Sequence, residues 1–450
     1  MGRNVTEFIQ NLRYEEIPDD VLAVMRRSLL DTVGVAAIGS TTRIGGIVKE
    51  FVRMQMPAGE GTPASRLLFS GLTVSPMGAA MAGAFTIDSV DAHDGYSKVK
   101  GHAGSGVFPA VIAVVDDLRR QGQEISGRDL LVALTIAYEV GYRSGLCMHG
   151  TVPDYHTSGA WTAVGAAAAV AHLLKLNTEE IQHALGIAEY HGPRSQMMRC
   201  IDHPTMLRDG VGWGSPTGVS AAYMAQQGFT GAPAITAEGD DAEPYWNDLG
   251  ERWEVNNTHY KAYPVCRWAH PAIDAVHDLM REHNISSSEI ERARIKTFHY
   301  ATRLAGHAPK TMDELTYALA YPFAIMAVHG EIGPLQLQES ILSDPEVQRI
   351  SLATELVDDE HYTRISTDKR WADVTLYLND GREVQSDART PRGDPDNPLS
   401  DKEISEKFHL LADDVIGITR AEEIEQCIAK VSSDDFDIDH LLTLITASAD

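Results

Sequence analysis

From residue 6 to about residue 227, apolar residues recur every three or four positions, the spacing of a helix that buries one face. The pattern is clearest over residues 21–38, 128–145, 160–174 and 178–189. Start signals precede several stretches: Ser126 stands before GRDLLVAL, and Asn177-Thr178-Glu179-Glu180 before IQHAL. Small residues crowd the segments GAAMAGAF, VGAAAAVAHLL and GVSAAYMAQQGF. Ala and Gly let helix backbones come close, so this half predicts a tightly packed helical bundle. No Val- or Ile-rich strand alternates with these helices, which argues against a doubly wound sheet.

Beyond Arg267 the texture changes. Residues 290–300 (IERARIKTFHY) alternate like a strand, and residues 371–384 (WADVTLYLNDGREV) read as strand, Asn-Asp-Gly turn and strand. Between them, residues 269–282 and 312–328 predict helices. Helical spacing returns at residues 400–411 and 422–430, so the tail can rejoin the first domain. The expected fold is mainly α. A large all-helical body (residues 1–267 and 400–450) carries a smaller α+β lid domain (residues 268–399). No repeat of solenoid period is present, and no GxGxxG or Walker loop follows a strand.

The chain has 450 residues, with 38 Lys plus Arg against 64 Asp plus Glu and a formal net charge of −26. Such a length supplies a large core without disulfides. The acid excess argues against nucleic acid as a main partner, because phosphate binding needs a dense Lys/Arg face. Cys147, Cys200, Cys266 and Cys427 are too far apart for a CxxC motif and suit a reducing compartment. The N-terminus lacks an apolar core of signal-peptide length. Its MGxxx[ST] pattern, through Gly2 and Thr6, is short enough to match by accident. Residues 160–174 are the most apolar stretch, yet too short and too weakly hydrophobic to span a bilayer. A cytoplasmic location with no membrane partner is expected.

Five polar constellations interrupt the apolar pattern. The first runs from Asp88 through Asp91, His93, Asp94, Lys98, Lys100 and His102 to Ser105, between two apolar helices. It concentrates groups that move protons and bind anions, and the helix opening near residues 104–107 adds N–H groups suited to a carboxylate. A solvated loop with Asp and Ser caps is the plainer reading. A metal site is a third, although the spacing matches neither HExxH nor an EF-hand. The second constellation is Tyr155-His156-Thr157-Ser158-Gly159, where a His at a helix start tends to stay neutral and suits proton acceptance.

The third holds Arg194, Arg199, His203, Arg208, Asp209 and a Gly-rich turn. Arg208 offers a bidentate fork to a carboxylate, or simply pairs with Asp209. The fourth, Lys261-Ala-Tyr263-Pro-Val-Cys266-Arg267-Trp-Ala-His270, lies at the body–lid junction, where pockets form. Cys266 beside Arg267 reads as a passive buried thiol, with an activated nucleophile as the alternative. In the fifth, Tyr317 and Tyr321 fall four apart on one helical face, a spacing common in cores.

In this order the segments resemble the MmgE/PrpD family, which includes 2-methylcitrate dehydratase, cis-aconitate decarboxylase and iminodisuccinate epimerase. The likeness runs through LLDTVGVAAIG, GHAGSGVFPA, HTSGAWTAVGAAAAVAHLLKL, YPVCRWAHPAIDA, TYALAYPFA and PRGDPDNPLSDKEISEKF. It implies a helical body with an α+β lid, a homodimer and no organic cofactor; with the spacing against a metal site, no metal is expected either. The decarboxylase's active-site pattern falls on Asp88, Asp91, His102, His156, His270 and Tyr321. Two departures stand out. A TKPxH-like segment of several members reads Thr205-Met206-Leu207-Arg208-Asp209, leaving Arg208 as the nearest cation. The loop reads DSVDAHDGYSK where the decarboxylase and dehydratase have a DFDDT type.

The family's reactions share a proton transfer at a carbon next to a carboxylate, which needs a placed base and cations to hold enolate-like charge. The resemblance therefore implies His102 and His156 as acid/base groups and Tyr321 as a proton donor, with His270 orienting. Arg208, Lys98, Lys261 and Arg267 become anion clamps, and His93 and Ser105 complete the substrate-binding set. Asp88 and Asp91 are expected to fix His tautomers. The expected function is a cofactor-independent lyase, a dehydratase or decarboxylase of a small di- or tricarboxylate. An epimerase of an iminodisuccinate-like acid, a non-catalytic carboxylate-binding homologue and a metal-dependent hydrolase are the alternatives. Lys98, Lys100, Arg194, Arg199, Arg208, Lys261 and Arg267 lie in the segments holding these candidates, so a pocket opposite in sign to the whole chain is predicted.

Overall fold

A computed structural model describes residues 4–304 and 306–449. Gly2 of the MGxxx[ST] match lies outside the described residues, and Thr6 is buried in the first helix with its hydroxyl on Asn4 Oδ1. The apolar stripes form the helices Asp19–Gly39, Gly127–Thr151, Gly159–Leu173 and Thr178–His191. Ser126 Oγ accepts from the Asp129 N–H, and Asn177 Oδ1 from Glu179 and Glu180, as their start signals imply.

The alanine helix Gly159–Leu173 is the centre of the body, wedged between Gly127–Thr151 and Val211–Gln226. Small residues are required there. A Cβ on Gly165 would stand 2.4 Å from the Ala137 carbonyl oxygen, and one on Gly218 would stand 2.5 Å from Ala166 Cβ. Only the short antiparallel pair Ser65–Arg66 and Thr73–Val74 interrupts the helices before residue 227 among the described residues. None of the described helices is long and apolar enough to cross a membrane.

The α+β region contains a four-stranded sheet in the order Thr354–Asp358, Ile290–Thr297, Ala372–Leu378, Glu383–Gln385. The expected hairpin is its last pair. The strand Thr354–Asp358 was not anticipated, and it runs parallel to Ile290–Thr297 while the other pairings are antiparallel. The strand expected to reach residue 300 ends at Thr297, and a helical turn, His299–Thr302, follows.

The single helix expected over residues 312–328 is two helices, Met312–Thr316 and Ala320–His329. Pro322 explains the break. It has no N–H to give the Ala318 carbonyl, so it is accommodated only in the first turn of a new helix. Tyr317 and Tyr321 consequently do not share a helical face.

The tail helices Asp401–Ile416, Ile418–Ala429 and Ile438–Thr446 return to the body, the first lying along Asp19–Gly39. Two large apolar cores result. One gathers body and tail residues; the other gathers residues 263–378 together with Met197, Cys200 and Ile201 of the helix Met197–Asp202. A short piece of the first half thus packs into the second core. The principal cavity opens where these cores meet.

Candidate active site

Counted out to its open mouth, the cavity spans about 510 Å³. Its polar lining comes from Asp91, Tyr96, Ser97, Lys100, His102, Tyr155, Asp209, His259, Lys261 and Arg267, with Tyr317 and Arg370 reaching in from the α+β side. The loop after the helix Pro76–Asp88 builds one wall. Gly95 and His259 exchange backbone hydrogen bonds (N–H to O, 3.0 and 2.7 Å), and the Tyr96 N–H bonds the Gly101 carbonyl at 2.9 Å. Asp91 and Lys100 adopt left-handed backbone conformations, with φ of 52° and 53°. Non-glycine residues held there carry strain that the surrounding bonds must maintain, a feature concentrated at functional sites.

His102 has a defined tautomer. Its Nδ1 lies 2.6 Å from the Asp94 carbonyl oxygen and therefore carries the hydrogen, leaving a lone pair on Nε2. Asp94 is itself fixed, accepting from the Gly104 N–H at 2.9 Å and the Tyr138 hydroxyl at 2.7 Å. Burial first, then the charges of Lys261, His93 and His259, push the His102 pKa well below 6.5, so the ring is a neutral base. His259 is held neutral likewise, by burial and then Arg267, and its Nε2 has no hydrogen-bond partner. His93 stands behind them, its Nε2 2.9 Å from Asp88 Oδ1 and its ring 4.3 Å from that of His102.

Three carboxyl groups meet beside these rings. Asp88 accepts from His93 through Oδ1 and from the Asp209 backbone N–H through Oδ2 at 3.0 Å. Asp91 Oδ1 is 2.5 Å from Lys261 Nζ, which also donates to the Asp91 carbonyl at 2.9 Å. Asp209 accepts on Oδ2 from the Ser158 hydroxyl, and its Oδ1 has no partner. Burial, then the charge of Asp88, raises the Asp209 pKa well above the usual carboxylate range. Asp91, His93 and His102 offer donor atoms all within 4.8 Å of one another, enough in geometry for a metal ion. Such an ion would face the Lys261 ammonium already seated on Asp91.

Four cations line the cavity, in two kinds. Lys261 pairs with Asp91, and Arg267 pairs with Asp394 at 2.6 Å. Among the described residues, Lys100 and Arg370 pair with no carboxylate. Arg370 Nη1 donates to the backbone carbonyls of Ser366, Thr367 and Lys369, and Lys100 Nζ lies 5.4 Å from the Tyr155 ring centre. Burial, then the charge of Arg370, lowers the Lys100 pKa, and burial lowers that of Arg370. Arg370 is buried and Lys100 exposed at the mouth, and two like charges without a carboxylate partner at one cavity suit an anion.

Of the residues expected from sequence, Asp91, His102, Lys261 and Arg267 line this cavity, while Asp88 and His93 support it from behind. Asp88 orients His93; a backbone carbonyl orients His102. The others stand elsewhere. His156 bonds its own turn, with Nδ1 3.0 Å from the Asp154 carbonyl oxygen. His270 is fully buried, with Nε2 3.0 Å from the Val265 carbonyl oxygen. Tyr321 donates to the Ile341 carbonyl at 2.8 Å inside the second core.

Ser105 is buried within the helix Gly104–Arg120, and the Gly104 N–H expected to greet a substrate is taken by Asp94. Lys98, Arg194 and Arg199 are exposed. Arg208 does not pair with Asp209; its guanidinium reaches Thr316, Asp313 and the Ser89 carbonyl instead. The activated-thiol alternative for Cys266 fails, because burial pushes its pKa up to about 12.

Sequence reasoning missed His259, Arg370 and the cavity roles of Asp209 and Tyr317. His259 is two residues before Lys261 and was recoverable from that proximity. Arg370 stands just before a strand, and nothing local marks it.

The protein is mainly α with two cores, and their junction holds neutral imidazoles beside four cations. The MmgE/PrpD N-terminal domain matches residues 3–242, and the MmgE/PrpD C-terminal domain matches residues 263–433. The chain belongs to the MmgE/PrpD family. It is 24% identical over 459 residues to a cis-aconitate decarboxylase of Aspergillus terreus, covering 94% of this chain and 91% of that one. It is also 23% identical over 476 residues to the cis-aconitate decarboxylase of Homo sapiens, covering 99% and 95%. Identity to a cis-aconitate decarboxylase-like protein of Aspergillus oryzae is 24% over 482 residues, covering 98% and 96%.

Proposed function

We propose that the protein is a cofactor-independent lyase acting on a small di- or tricarboxylate, with decarboxylation as its leading reaction and dehydration as the variant. The observation that carries this reading is the pair Lys100 and Arg370, two cations without a carboxylate partner in a cavity that also holds the neutral base His102. Carboxylates of the substrate complete both ion pairs, and Arg370 reaches them from the α+β side. The full-length relatives named as cis-aconitate decarboxylases support the reaction class.

Decarboxylation breaks a C–C bond and leaves its electron pair on the carbon frame as an enolate-like anion. Dehydration reaches a similar anion when His102 Nε2 removes the proton next to a carboxylate. In both, Lys100, Arg370 and the Lys261–Asp91 pair stabilise the charge as it develops. Arg267, fixed by Asp394, shapes the wall beside them. We assign no step to His156, His270 or Tyr321. The homodimer remains part of this reading, checked by sedimentation.

Epimerisation is a second reading, favoured by the second neutral imidazole, His259, in the same cavity. Proton NMR in D₂O, with cis-aconitate and a panel of hydroxy- and amino-dicarboxylates, separates the outcomes. Released CO₂ marks decarboxylation, and a new alkene without CO₂ marks dehydration. Exchange at one carbon without loss of mass marks epimerisation and overturns the lyase. Saturable binding with neither exchange nor turnover leaves a non-catalytic homologue and overturns the enzyme.

A further inference from the structure

Asp209 stands in the cavity wall with one carboxyl oxygen held by Ser158 and the other left over. Its backbone is pinned on both sides, the N–H to Asp88 Oδ2 at 3.0 Å and the carbonyl to the Gly159 N–H at 3.0 Å. Arg208, with φ of 52°, turns the chain so that its own guanidinium leaves towards Thr316 and Asp313, while the Asp209 carboxyl lines the cavity. The neighbouring cation is thereby withheld from Asp209. Ser158 ties the carboxyl to the base: its Oγ accepts the His102 backbone N–H at 2.9 Å and donates to Asp209 Oδ2. The second oxygen, Oδ1, is buried and has no protein partner. An unfulfilled oxygen at the wall of an anion-receiving cavity is a group waiting for a ligand.

We propose that Asp209 is the proton donor of this site, working as a carboxylic acid opposite in role to the base His102. The inference rests on the lyase reading above. In the step, the Asp209 O–H bond breaks and the electron pair of the enolate-like substrate anion takes the proton, forming a C–H bond. In dehydration the proton goes to the departing hydroxyl, which leaves as water. Asp209 is left as a carboxylate and regains its proton from solvent. Burial and the negative charge of Asp88 keep the acid form in place beforehand. A His held neutral and an Asp whose acid form is favoured, their affinities for a proton pushed apart by their surroundings, mark a base and an acid in one cavity.

The test uses the whole protein and the variant Asp209→Asn, which keeps the shape and a hydrogen-bond donor but has no acidic proton. Infrared spectroscopy of protein labelled with carboxyl-¹³C aspartate should show the C=O stretch of a protonated buried acid at neutral pH, absent in Asp209→Asn. With the acid that the wild type turns over, the variant should lose about 100-fold or more in kcat, with KM within about 3-fold. A wild type without the protonated-acid band overturns the proposal, as does a variant that keeps its kcat. If Asp209→Asn does not fold, Asp209→Glu takes its place: it keeps an acidic proton but loses the labelled band. A band that stays belongs to Asp31 or Asp94, which burial also raises, and overturns the proposal. A wild type that neither binds nor turns over any carboxylic acid overturns the lyase reading and the donor role, while the infrared band is read independently.

Discussion

The imidazole rings of His102 and His259 meet edge to face with centroids 6.4 Å apart, and Gly95 is what fits between them. A Cβ on Gly95 would lie 2.7 Å from His102 Nδ1, 2.8 Å from His259 Nε2 and 2.8 Å from the Gly101 carbonyl oxygen. None of these atoms is the far end of a flexible chain. His102 would have to break its bond to Asp94, losing both its tautomer and its aim. Gly95→Ala is therefore expected to lower kcat by about 100-fold and stability by about 1–3 kcal/mol. Steady-state kinetics and urea unfolding measure the two; wild-type kcat in this variant would show that His102 placement is irrelevant to turnover.

The partnerless cations make a different prediction. Lys100→Met and Arg370→Met each remove one substrate ion pair, worth about 1.5–3 kcal/mol for a hydrogen bond to a charged group. KM for the dicarboxylate should rise by about 10- to 100-fold in each. Thermal stability of Lys100→Met should hold or increase, because the change relieves a like charge facing Arg370. Arg370→Met also strips the Ser366, Thr367 and Lys369 carbonyls of their donor and is read on KM alone. Titration calorimetry with differential scanning separates this from a structural role, in which affinity and Tm would fall together.

Three buried imidazoles set the response to acid. Burial is the leading cause that holds His102, His259 and His270 well below their ordinary 6.5. Below that pH the unfolded chain binds protons that these rings, and the similarly lowered His149 and His172, refuse. Their share of the stability is therefore full above pH 6.5 and falls as pH drops, while the raised carboxyl of Asp209 works in the opposite direction. Each fully refused proton steepens the loss by about 1.4 kcal/mol per pH unit. Urea midpoints should therefore decline steadily from pH 7 to pH 5, and His270→Gln, outside the cavity, should make the slope shallower. A slope unchanged in His270→Gln would refute the assignment of His270 as a neutral ring.

Tyr317 and Tyr321 show what the sequence can and cannot disclose. Helices with an apolar stripe or a capping residue are legible, because spacing and cap are local properties: the stretches expected at 160–174 and 178–189 form Gly159–Leu173 and Thr178–His191, the second capped by Asn177. The break at residues 317–319 was also written locally, in Pro322, but periodicity alone runs through it. Arg370 reaches the cavity only through tertiary placement, which no local pattern encodes. Tyr317→Phe, at the cavity wall, should alter kcat or KM with little change in Tm. Tyr321→Phe, which leaves the Ile341 carbonyl without its donor, should cost about 1 kcal/mol of stability and leave kinetics unchanged.

Arg208 carries the last prediction, because the structure and the sequence assign it different work. Its Nη1 donates to Thr316 Oγ1 at 2.6 Å, and its Nη2 to the Ser89 carbonyl at 2.7 Å and Asp313 Oδ1 at 2.7 Å. The guanidinium, only 3% exposed, thereby fastens the loop after Pro76–Asp88 to the start of the α+β half, with the Tyr317 ring centre 5.7 Å away. A planar fork makes all these bonds at once, whereas a lysine ammonium in the same place could not. Breaking a buried pair by removing one partner costs about 3–5 kcal/mol, and the lower end applies because Asp313 keeps 15% of its side chain in water. Arg208→Ala should therefore lower stability by about 3 kcal/mol, and Arg208→Lys should recover only part of it. In the double variant with Asp313→Asn the losses should fall short of additive, as for residues in contact. A residue that clamped substrate directly would behave in the opposite way, raising KM by about 100-fold with the unfolding midpoint unmoved, and that pattern would restore Arg208 to the cavity.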